Sequence, residues 1–396
     1  MCRFTVYKGQ SILIGEVVIK PEYSLLFQAR EALYHPGVVD SDNERNIVVN
    51  GDGFGLAWYG NNPAKGSCCC KFITPAWSNA NLRNLGEHIE SPMFFAHIRA
   101  ASSGHNPHDR DIVVSTENCH PFKSGRWTFV HNGGIPHFKK MKRSIILQIK
   151  EEYFVDILGS TDSEYIFALF LSLLPNNFDD ISITEFIDAT NRTISTVLEL
   201  CVATGIKEPC SLNFCVSDGI NMIATRFRNG HNPPSLYYKK GANFRCENGV
   251  LVSSDGANGV CKGLVISSAP LSKCCLSHDH PVGWQLLPPD TMLVCVGDKH
   301  DISLINEVIT KPISARVGRG LIAQTHMEAI SFSTPFSGQP TSPSTTFSRS
   351  HSSNSIVAMN ENTSKAASPG STLQSVQTSR REKSGDACIN LTSLSA

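Results

Sequence analysis

The chain has 396 residues, and 41% of them are hydrophobic, which is enough apolar material for a sizeable core in one large domain or two. Lys and Arg together number 35, as do Asp and Glu, so the formal net charge is zero and the composition gives no sign of a surface for nucleic acid or an anionic membrane. No apolar run reaches the roughly 18 residues that span a bilayer, and the N-terminus lacks the apolar core of a signal peptide. We therefore expect a cytoplasmic protein that binds neither nucleic acid nor a membrane.

The 14 cysteines do not follow the spacing of a metal site. Residues 68–70 and 274–275 are adjacent runs, and no Cys-x-x-Cys pair occurs. The ligands of a tetrahedral zinc site must converge on one point, which adjacent residues do not readily do. We expect mostly buried, reduced thiols and neither a metal nor another cofactor.

The chain begins with a predicted strand in which Cys2, Phe4 and Val6 share one face. Initiator methionine is usually removed before a small residue, which would give Cys2 a free α-amine beside its thiol. These two groups are a nucleophile and a base, with reference pKa values of about 8.5 and about 7.7 to 8.0 that allow proton exchange near neutral pH. Position alone also allows an incidental cysteine near a terminus.

Residues 50–55, Asn-Gly-Asp-Gly-Phe-Gly, precede an apolar strand. Three glycines in five residues indicate either unusual backbone angles or the close approach of another group. No Gly-Lys-Ser/Thr follows, so the segment is not a phosphate loop. Taken alone, it is most simply a β-turn or a bulge.

A buried strand is predicted over residues 93–100, with Arg99 at its end. Because an unpaired buried charge is costly, Arg99 needs an anionic partner, which is either an internal carboxylate or the carboxylate of a substrate. Residues 127–131 form another predicted strand that runs into Asn132-Gly133. This dipeptide is typical of a hairpin turn, although its side-chain amide and N–H could also donate to an oxyanion.

The clearest predicted helix follows residue 160. Thr161 and Glu164 have the spacing of a capping box, and the next seven residues are apolar nearly all round, which indicates a buried helix that Pro175 ends. Asp162 is favourable at a helix N-terminus, and its carboxylate would also suit an ammonium ligand.

A second helix is predicted from the capping pair Ser182 and Glu185, and strands follow it. The predicted strands are 211–217 and 221–227 around Asp218-Gly219, then 235–239, 250–254, 264–268, 284–287 and 291–296. This order predicts an α+β fold of two sheets with helices packed outside them. After about residue 329, Ser, Thr, Pro, Gly and Asn dominate, which predicts a disordered tail.

Six of these signals occur in one order along the chain. They are Cys2, Gly-Asp-Gly-Phe-Gly at 51–55, His-Ile-Arg-Ala-Ala at 97–101, Cys-His-Pro-Phe at 119–122, Val-His-Asn-Gly at 130–133 and Ser-Thr-Asp-Ser-Glu at 160–164. Over about residues 2–300, this set resembles the class II glutamine amidotransferases, which are N-terminal-nucleophile hydrolases. Within that family, the sequences of these motifs are most similar to those of the amidotransferase subunit of the fungal glutathione degradosome.

The resemblance implies a four-layer αββα sandwich and a role for each matching residue. Cys2 would be the nucleophile and its α-amine the general base, while the Asn132 side chain and the Gly133 N–H would form the oxyanion hole. Arg99 would hold the α-carboxylate of a γ-glutamyl group, and Asp162 its α-ammonium. The residues implied to shape the site without breaking bonds are Gly51, Asp52, Gly53 and His120.

The implied reaction is hydrolysis of a γ-glutamyl amide through a thioester on Cys2. We expect glutathione, cleaved to glutamate and cysteinylglycine, as the substrate and a separate protein subunit as partner. Two alternatives stay open: a glutamine amidotransferase subunit that supplies ammonia to a partner, and a non-catalytic regulatory subunit.

The implied domains are an amidotransferase-type domain over 2–300, an extension of it over 301–330 and the tail over 331–396. Three features depart from the family pattern. No synthetase or acceptor domain is recognisable after residue 300, residues 267–270 read Ser-Ser-Ala-Pro where relatives often have Ser-Glu-Pro, and the cysteine run at 68–70 has no counterpart.

Overall fold

A computed structural model describes residues 2–31, 49–100, 113–175, 181–230, 233–254, 262–272, 283–297 and 302–309. The predicted tail, residues 331–396, and the cysteines at 274–275 lie outside the described residues. Within these ranges, no helix is both long enough and apolar enough to cross a membrane. Ten cysteines are described; five of them are buried and Cys68 is exposed.

The described strands form two sheets in which every pairing is antiparallel. In chain order they are β1 (Arg3–Leu13), β2 (Phe54–Tyr59), β3 (Ser67–Phe72), β4 (Glu90–Ile98), β5 (Phe122–Ser124), β6 (Trp127–Gly134), β7 (Ser211–Ser217), β8 (Met222–Arg226), β9 (Tyr237–Glu247), β10 (Val250–Ser254), β11 (Gly263–Ser267), β12 (Gln285–Leu286), β13 (Thr291–Val296) and β14 (Ser303–Val308). The larger sheet has the order β10-β9-β11-β1-β4-β2-β3, with β12 paired to β9, and the smaller has the order β14-β13-β8-β7-β6-β5.

The helices of the described part fall into two groups along the chain. They are α1 (Gly15–Val18), α2 (Leu25–Arg30), α3 (Ala80–His88), α4 (Phe138–Ile146), α5 (Glu151–Phe154), α6 (Asp162–Leu173) and α7 (Ile183–Ala203). The first three come between strands of the larger sheet, and the last four lie between β6 and β7 of the smaller sheet.

Three separate apolar cores show how these elements are layered. One core joins α1, α2 and α3 to residues of the larger sheet such as Tyr7 and Phe94. A second core contains side chains from both sheets, including Phe4 and Val130. The third joins α4 to α7 to the smaller sheet, for example through Phe129. Three cores require four layers, so the predicted αββα sandwich is confirmed.

Strand β1 lies in the middle of the larger sheet, with β4 on one side and β11 on the other. The predicted alternation is confirmed, because Phe4 and Val6 face the core between the sheets and Tyr7 faces the helices. Cys2 immediately precedes this strand and continues the series of Phe4 and Val6. The first residues of the chain are therefore held at the rim of the core between the sheets.

Strand β6 differs from the sequence interpretation at its end. Asn132-Gly133 was expected to favour a hairpin turn, but the strand continues through both residues to Gly134. Asn132 pairs with Asn213, and Gly133 with Leu212, on the neighbouring strand β7. The prediction of a tight turn at this dipeptide is therefore wrong, because long-range pairing with β7 extends the strand.

The capping box predicted for α6 is also wrong. Thr161 is the N-cap residue but its side chain accepts no capping hydrogen bond. Glu164 instead turns toward the preceding loop, where its carboxylate accepts hydrogen bonds from Leu158 N at 3.0 Å and Gly159 N at 2.7 Å. The helix is nevertheless buried along most of its length, as its apolar composition predicted.

The capping box of α7 is confirmed. Ser182 Oγ accepts a hydrogen bond from Glu185 N, and the Glu185 carboxylate accepts one from Ser182 N at 2.9 Å. We expect Ser182→Ala to lower the free energy of unfolding by about 1 kcal/mol, because an N-cap side chain is lost. Thr161→Ala, which removes an N-cap hydroxyl without a capping bond, should cost less than half as much. Urea unfolding of both variants measures the difference, and equal losses would contradict the assignment.

The predicted pair of strands around Asp218-Gly219 is confirmed as the β7-β8 hairpin. The later strands also form where expected, with shifted ends. The strand predicted over 235–239 extends to Glu247, and the one predicted over 284–287 is only two residues long. β14, which belongs to the predicted 301–330 extension, pairs with β13 and completes the smaller sheet, whereas the boundary at residue 300 stays a prediction.

Candidate active site

The Cys2 thiol lies where β1 meets the end of β4. Ala100 N donates a hydrogen bond to Cys2 Sγ at 3.3 Å. On the other side of the strand, Phe4 N donates to Ser268 Oγ at 3.0 Å, so the beginning of β1 is fixed by both neighbouring segments. The thiol is half-buried, and small movements of the N-terminal residues are restricted by these contacts.

The charges around Cys2 have opposing effects on its thiol. Burial raises the pKa of Cys2, because the thiolate loses hydration. The positive charge of Arg99 acts in the opposite direction, and the negative charge of Asp162 raises the pKa further. The charges of Arg99 and Asp162 therefore have opposite effects on the pKa of the Cys2 thiol.

The Arg99 side chain is almost fully buried and is only partly satisfied. Its Nη2 donates to Val113 O at 3.0 Å, whereas Nη1 has no hydrogen-bond partner among the described residues. A buried guanidinium nitrogen without a partner is unfavourable, and it is a suitable donor for an added carboxylate. The sequence allows two partners for Arg99, an internal carboxylate or the carboxylate of a substrate. The described contacts contain no internal carboxylate partner.

The glycine-rich segment fixes the backbone of Arg99. Arg99 N donates to Gly53 O at 2.9 Å, and Asp52 N donates to Arg99 O at 3.3 Å. Gly53 has φ +119°, and a Cβ atom there would lie 2.7 Å from both Cys119 Sγ and Phe72 O. Gly51, beside it, packs against Trp77. Of the two explanations offered by the sequence, Gly53 satisfies both: an unusual backbone angle and a close approach.

Asp162 begins α6 and is held by backbone donors. Its Oδ2 accepts from Ile135 N at 2.7 Å, and its Oδ1 accepts from Ser163 N at 2.8 Å. Ile135 immediately follows β6, so this contact joins the start of α6 to the strand that carries Asn132 and Gly133. The Ser163 hydroxyl also lies 3.3 Å from Oδ1, whereas Oδ2 accepts one hydrogen bond and keeps capacity for a ligand cation.

Asn132 and Gly133 lie near the end of β6. Asn132 is buried, and its Oδ1 accepts no hydrogen bond within the described part of the chain. A Cβ atom on Gly133 would lie 2.0 Å from Ser211 O, so only glycine fits there while β6 stays paired with β7. A buried amide oxygen without a partner in the described residues is uncommon in a packed interior, and it could accept a hydrogen bond from a ligand.

A histidine that the sequence analysis did not single out links β6 to Asp162. His131 Nε2 lies 3.0 Å from Ser211 O, so this nitrogen carries the proton, because a carbonyl only accepts. Burial lowers the pKa of His131, and the neutral ring therefore accepts at Nδ1 from Ser163 Oγ at 2.9 Å. Ser163 also donates its backbone N–H to Asp162, which makes His131 a support for that carboxylate.

Two further histidines fill the space between the sheets. His97, on β4, has its Nε2 3.1 Å from His131 O, which bridges the two sheets. The His120 ring stacks on His97 with centroids 4.1 Å apart, and its two ring nitrogens have no partner among the described residues. Burial lowers the pKa of His97 to about 3 and the pKa of His120 well below its usual value.

The lowered pKa values make stability depend on pH. Both histidines have a lower pKa in the folded than in the unfolded state, so the folded protein loses stability as the pH falls below about 6.5. For His97 this loss continues until the pH reaches about 3. At pH 5.5, each histidine that stays neutral costs about 1.4 kcal/mol relative to the unfolded chain. We expect His120→Phe, which keeps an aromatic ring on His97, to reduce the stability loss between pH 7.5 and 5.5 by that amount.

Urea unfolding at the two pH values measures this effect. The exposed His88 offers a matched control, since His88→Gln removes an imidazole from the surface helix α3. An unchanged loss of stability in His120→Phe, or an equal reduction in both variants, would contradict a buried neutral His120.

Asn118 is a second residue that the sequence analysis did not identify as important for the site. Its Oδ1 accepts from Ser160 N at 2.7 Å, and its Nδ2 donates to Val113 O at 2.9 Å. Val113 O is also the acceptor for Arg99, so Asn118 joins the surroundings of Arg99 to the loop before Asp162. Its place in the motif next to Cys119-His120 was the only available signal.

The predicted site residues come from both sheets and from the start of α6. Cys2 and Arg99 come from the larger sheet and its ends, and Asn132, Gly133 and Asp162 from the smaller sheet and α6. Gly53 and Asp52 bind the Arg99 backbone, and His120 packs behind it against His97. These residues contribute a thiol, a guanidinium nitrogen without a hydrogen-bond partner in the described residues, a carboxylate and a buried amide.

Comparison with known proteins identifies the family of this fold and site. The family model described as class II glutamine amidotransferases matches residues 41–235. The probable glutamine amidotransferase DUG3 of Saccharomyces cerevisiae is 36% identical over 261 residues, which cover 62% of this chain and 69% of that protein. The chain therefore belongs to the class II glutamine amidotransferases, as its ordered motifs predicted.

Two solved structures are also similar to this chain. A glutamine aminotransferase class-II domain protein from Silicibacter pomeroyi has a TM-score of 0.49 and 23% identity, with 78% of this chain and all of that one covered. Glutamine phosphoribosylpyrophosphate amidotransferase from Bacillus subtilis has a TM-score of 0.43 and 13% identity, with 78% of this chain and 49% of that one covered.

Proposed function

We propose that this class II glutamine amidotransferase hydrolyses γ-glutamyl amides with Cys2 as an N-terminal nucleophile. The observation that carries the proposal is the position of the Cys2 thiol at the start of the central strand, next to Arg99, whose Nη1 is buried without a partner in the described residues. A γ-glutamyl group carries a carboxylate for that guanidinium, an ammonium for Asp162 and a carbonyl for the thiol.

In this mechanism, removal of Met1 leaves Cys2 with a free α-amine, which takes the thiol proton through a water molecule. The thiolate attacks the γ-carbonyl, and the Asn132 amide and the Gly133 N–H donate to the oxyanion. The tetrahedral intermediate collapses to a γ-glutamyl thioester when the C–N bond breaks and the leaving amine takes the proton. Water then attacks the thioester, which releases glutamate and restores the thiol. The chemistry needs no cofactor.

The raised pKa of Cys2 suggests why the α-amine would be needed as a base for the thiol proton. Because burial disfavours the thiolate, a base that accepts the thiol proton would favour formation of the nucleophile. The positive charge of Arg99 reduces the cost of that step, and a bound α-carboxylate would partly cancel its effect.

Glutathione is the substrate that we favour, because the motif sequences resemble those of the glutathione-degradosome subunit. That resemblance also suggests a separate partner subunit. Glutamine would use the same site with ammonia as the leaving group. Cytoplasmic location stays a prediction from the sequence.

The first experiment labels the purified protein with a diazoketone analogue of glutamine. We expect a single adduct in the intact mass, on an N-terminal peptide that lacks Met1. Glutamate release from glutathione and from glutamine, each with and without a co-purified partner, then separates the two substrates. If Met1 is absent and no adduct forms even with the partner present, the nucleophile is wrong, and a non-catalytic binding subunit is the better account.

A further inference from the structure

A second cavity lies away from the proposed γ-glutamyl site, where the edge strands β3 and β5 meet α5 and α6. Its volume is about 440 Å³, which is within the range of small-molecule sites. None of Cys2, Arg99, Asn132, Gly133 or Asp162 lines it. The proposed reaction therefore gives this cavity no role.

One wall of the cavity is apolar. It is formed by Phe122, Ile157, Phe167, Ala168 and Leu171. Leu158 lies at the rim with 77% of its surface exposed, which is a large exposure for leucine. Phe122, Phe167, Ala168 and Leu171 are at most 4% exposed, so a ligand would remove apolar surface from water mainly at Ile157 and Leu158.

A positive charge, that of Lys71, lies beside this apolar wall. The Lys71 ammonium lies 4.7 Å above the centroid of the Phe122 ring, and no hydrogen bond or ion pair involves it within the described residues. Burial lowers the pKa of Lys71, whereas the charges of Glu164 and Glu117 act in the opposite direction. An anion placed beside it would offset that cost.

The other charged side chains near the cavity are engaged or exposed. Glu164 accepts two backbone hydrogen bonds, from Leu158 N and Gly159 N. Lys123 Nζ donates to Ser67 O at 3.1 Å, and Asp156 is exposed at the edge. Lys71 is thus a cation without a hydrogen bond or ion pair in the described residues, although its charge interacts with the Glu164 and Glu117 carboxylates. A ligand must compete with these carboxylates, which disfavours one with two negative charges.

We propose that this cavity is a binding site for a small molecule with a single carboxylate on an apolar body, in which Lys71 pairs with the carboxylate and the Phe122–Phe167 side holds the apolar part. The cation above the Phe122 ring and the apolar wall beside it match the two parts of such a ligand.

The test uses 2-naphthoate as the probe and its neutral amide, naphthalene-2-carboxamide, as the comparison, with affinities measured by calorimetry on the full chain. We expect 2-naphthoate to bind about ten-fold more tightly than the amide, because only the acid forms the charged contact. Lys71→Met should remove that difference, and Lys71→Arg should retain it. Lys140→Met, on the exposed face of α4, is the matched control and should change nothing.

A second variant tests the position of the site without altering its interior. Leu158→Glu places a negative charge at the exposed rim and should weaken 2-naphthoate binding more than binding of the amide. Labelling of Cys2 by the diazoketone should be unaffected by 2-naphthoate, which separates this site from the proposed catalytic one. No binding of 2-naphthoate at millimolar concentration, equal affinities for acid and amide, or insensitivity to Lys71→Met would each overturn the proposal.

Discussion

Replacement of Cys2 by alanine is expected to lower the rate of γ-glutamyl hydrolysis by about 10⁴-fold or more, which is the scale seen when an enzyme loses its nucleophile. The reason is that no other described thiol has the contacts of Cys2: its sulfur accepts the Ala100 N–H at the start of the central strand and lies within the influence of Arg99 and Asp162. Glutamate release, followed by mass spectrometry with glutathione and with glutamine, measures the effect.

Cys68 provides the control for this substitution. It is an exposed cysteine on the edge strand β3, and Cys68→Ala should leave the rate unchanged. Binding of the substrate by Cys2→Ala should persist, because Arg99 and Asp162 remain in place. A Cys2→Ala protein as active as the unmodified chain would rule out the proposed nucleophile, and equal losses in both variants would point to a general effect on folding.

Replacement of Asn132 is expected to give the second-largest effect. Asn132→Ala should lower kcat by about 10²- to 10³-fold with a small change in KM, because an oxyanion donor acts mainly in the transition state. The Asn132 side chain is buried, and its Nδ2 is the group that would donate to the oxyanion. Steady-state kinetics with the preferred substrate measures the two constants separately.

A matched control for Asn132 is Asn84, an exposed asparagine on α3, where Asn84→Ala should leave both constants unchanged. Asn132→Asp has nearly the same shape but lacks the donor, and it should be as impaired as Asn132→Ala. Activity retained in Asn132→Asp, or a loss confined to KM, would contradict an oxyanion role and favour a role in binding.

Much of the fold was predictable because it depends on local patterns. The alternation of Cys2, Phe4 and Val6 defined a strand face, and the Ser182–Glu185 pair correctly marked a helix start. The same spacing at Thr161 and Glu164 gave the wrong contact, since the Glu164 carboxylate bonds the loop before the helix instead. The same spacing of a hydroxyl residue and a glutamate thus forms a capping box at α7 but not at α6. The tertiary surroundings decide between these outcomes.

The site was predictable where the chain order of motifs was informative, and less so where contacts cross between sheets. Asn132-Gly133 favours a turn by composition, but pairing with β7 makes it part of a strand. His97 and His131 lay within quoted motifs, yet nothing in the sequence showed that one bridges the sheets and the other supports Asp162 through Ser163. A histidine inside an apolar run was the only available signal.

The central place of β1 also affects the order of events during synthesis. This strand is covered on its second side only by β11, and the hydrogen bond from Phe4 N to Ser268 Oγ joins residues 264 positions apart. At about 5 to 20 residues per second, a ribosome needs roughly 13 to 50 seconds to make that intervening chain. During this interval β1 lacks one neighbour, so its first residues stay open to the enzymes that trim nascent chains. The native sheet closes around residue 2 only afterwards, which leaves time for the proposed removal of Met1.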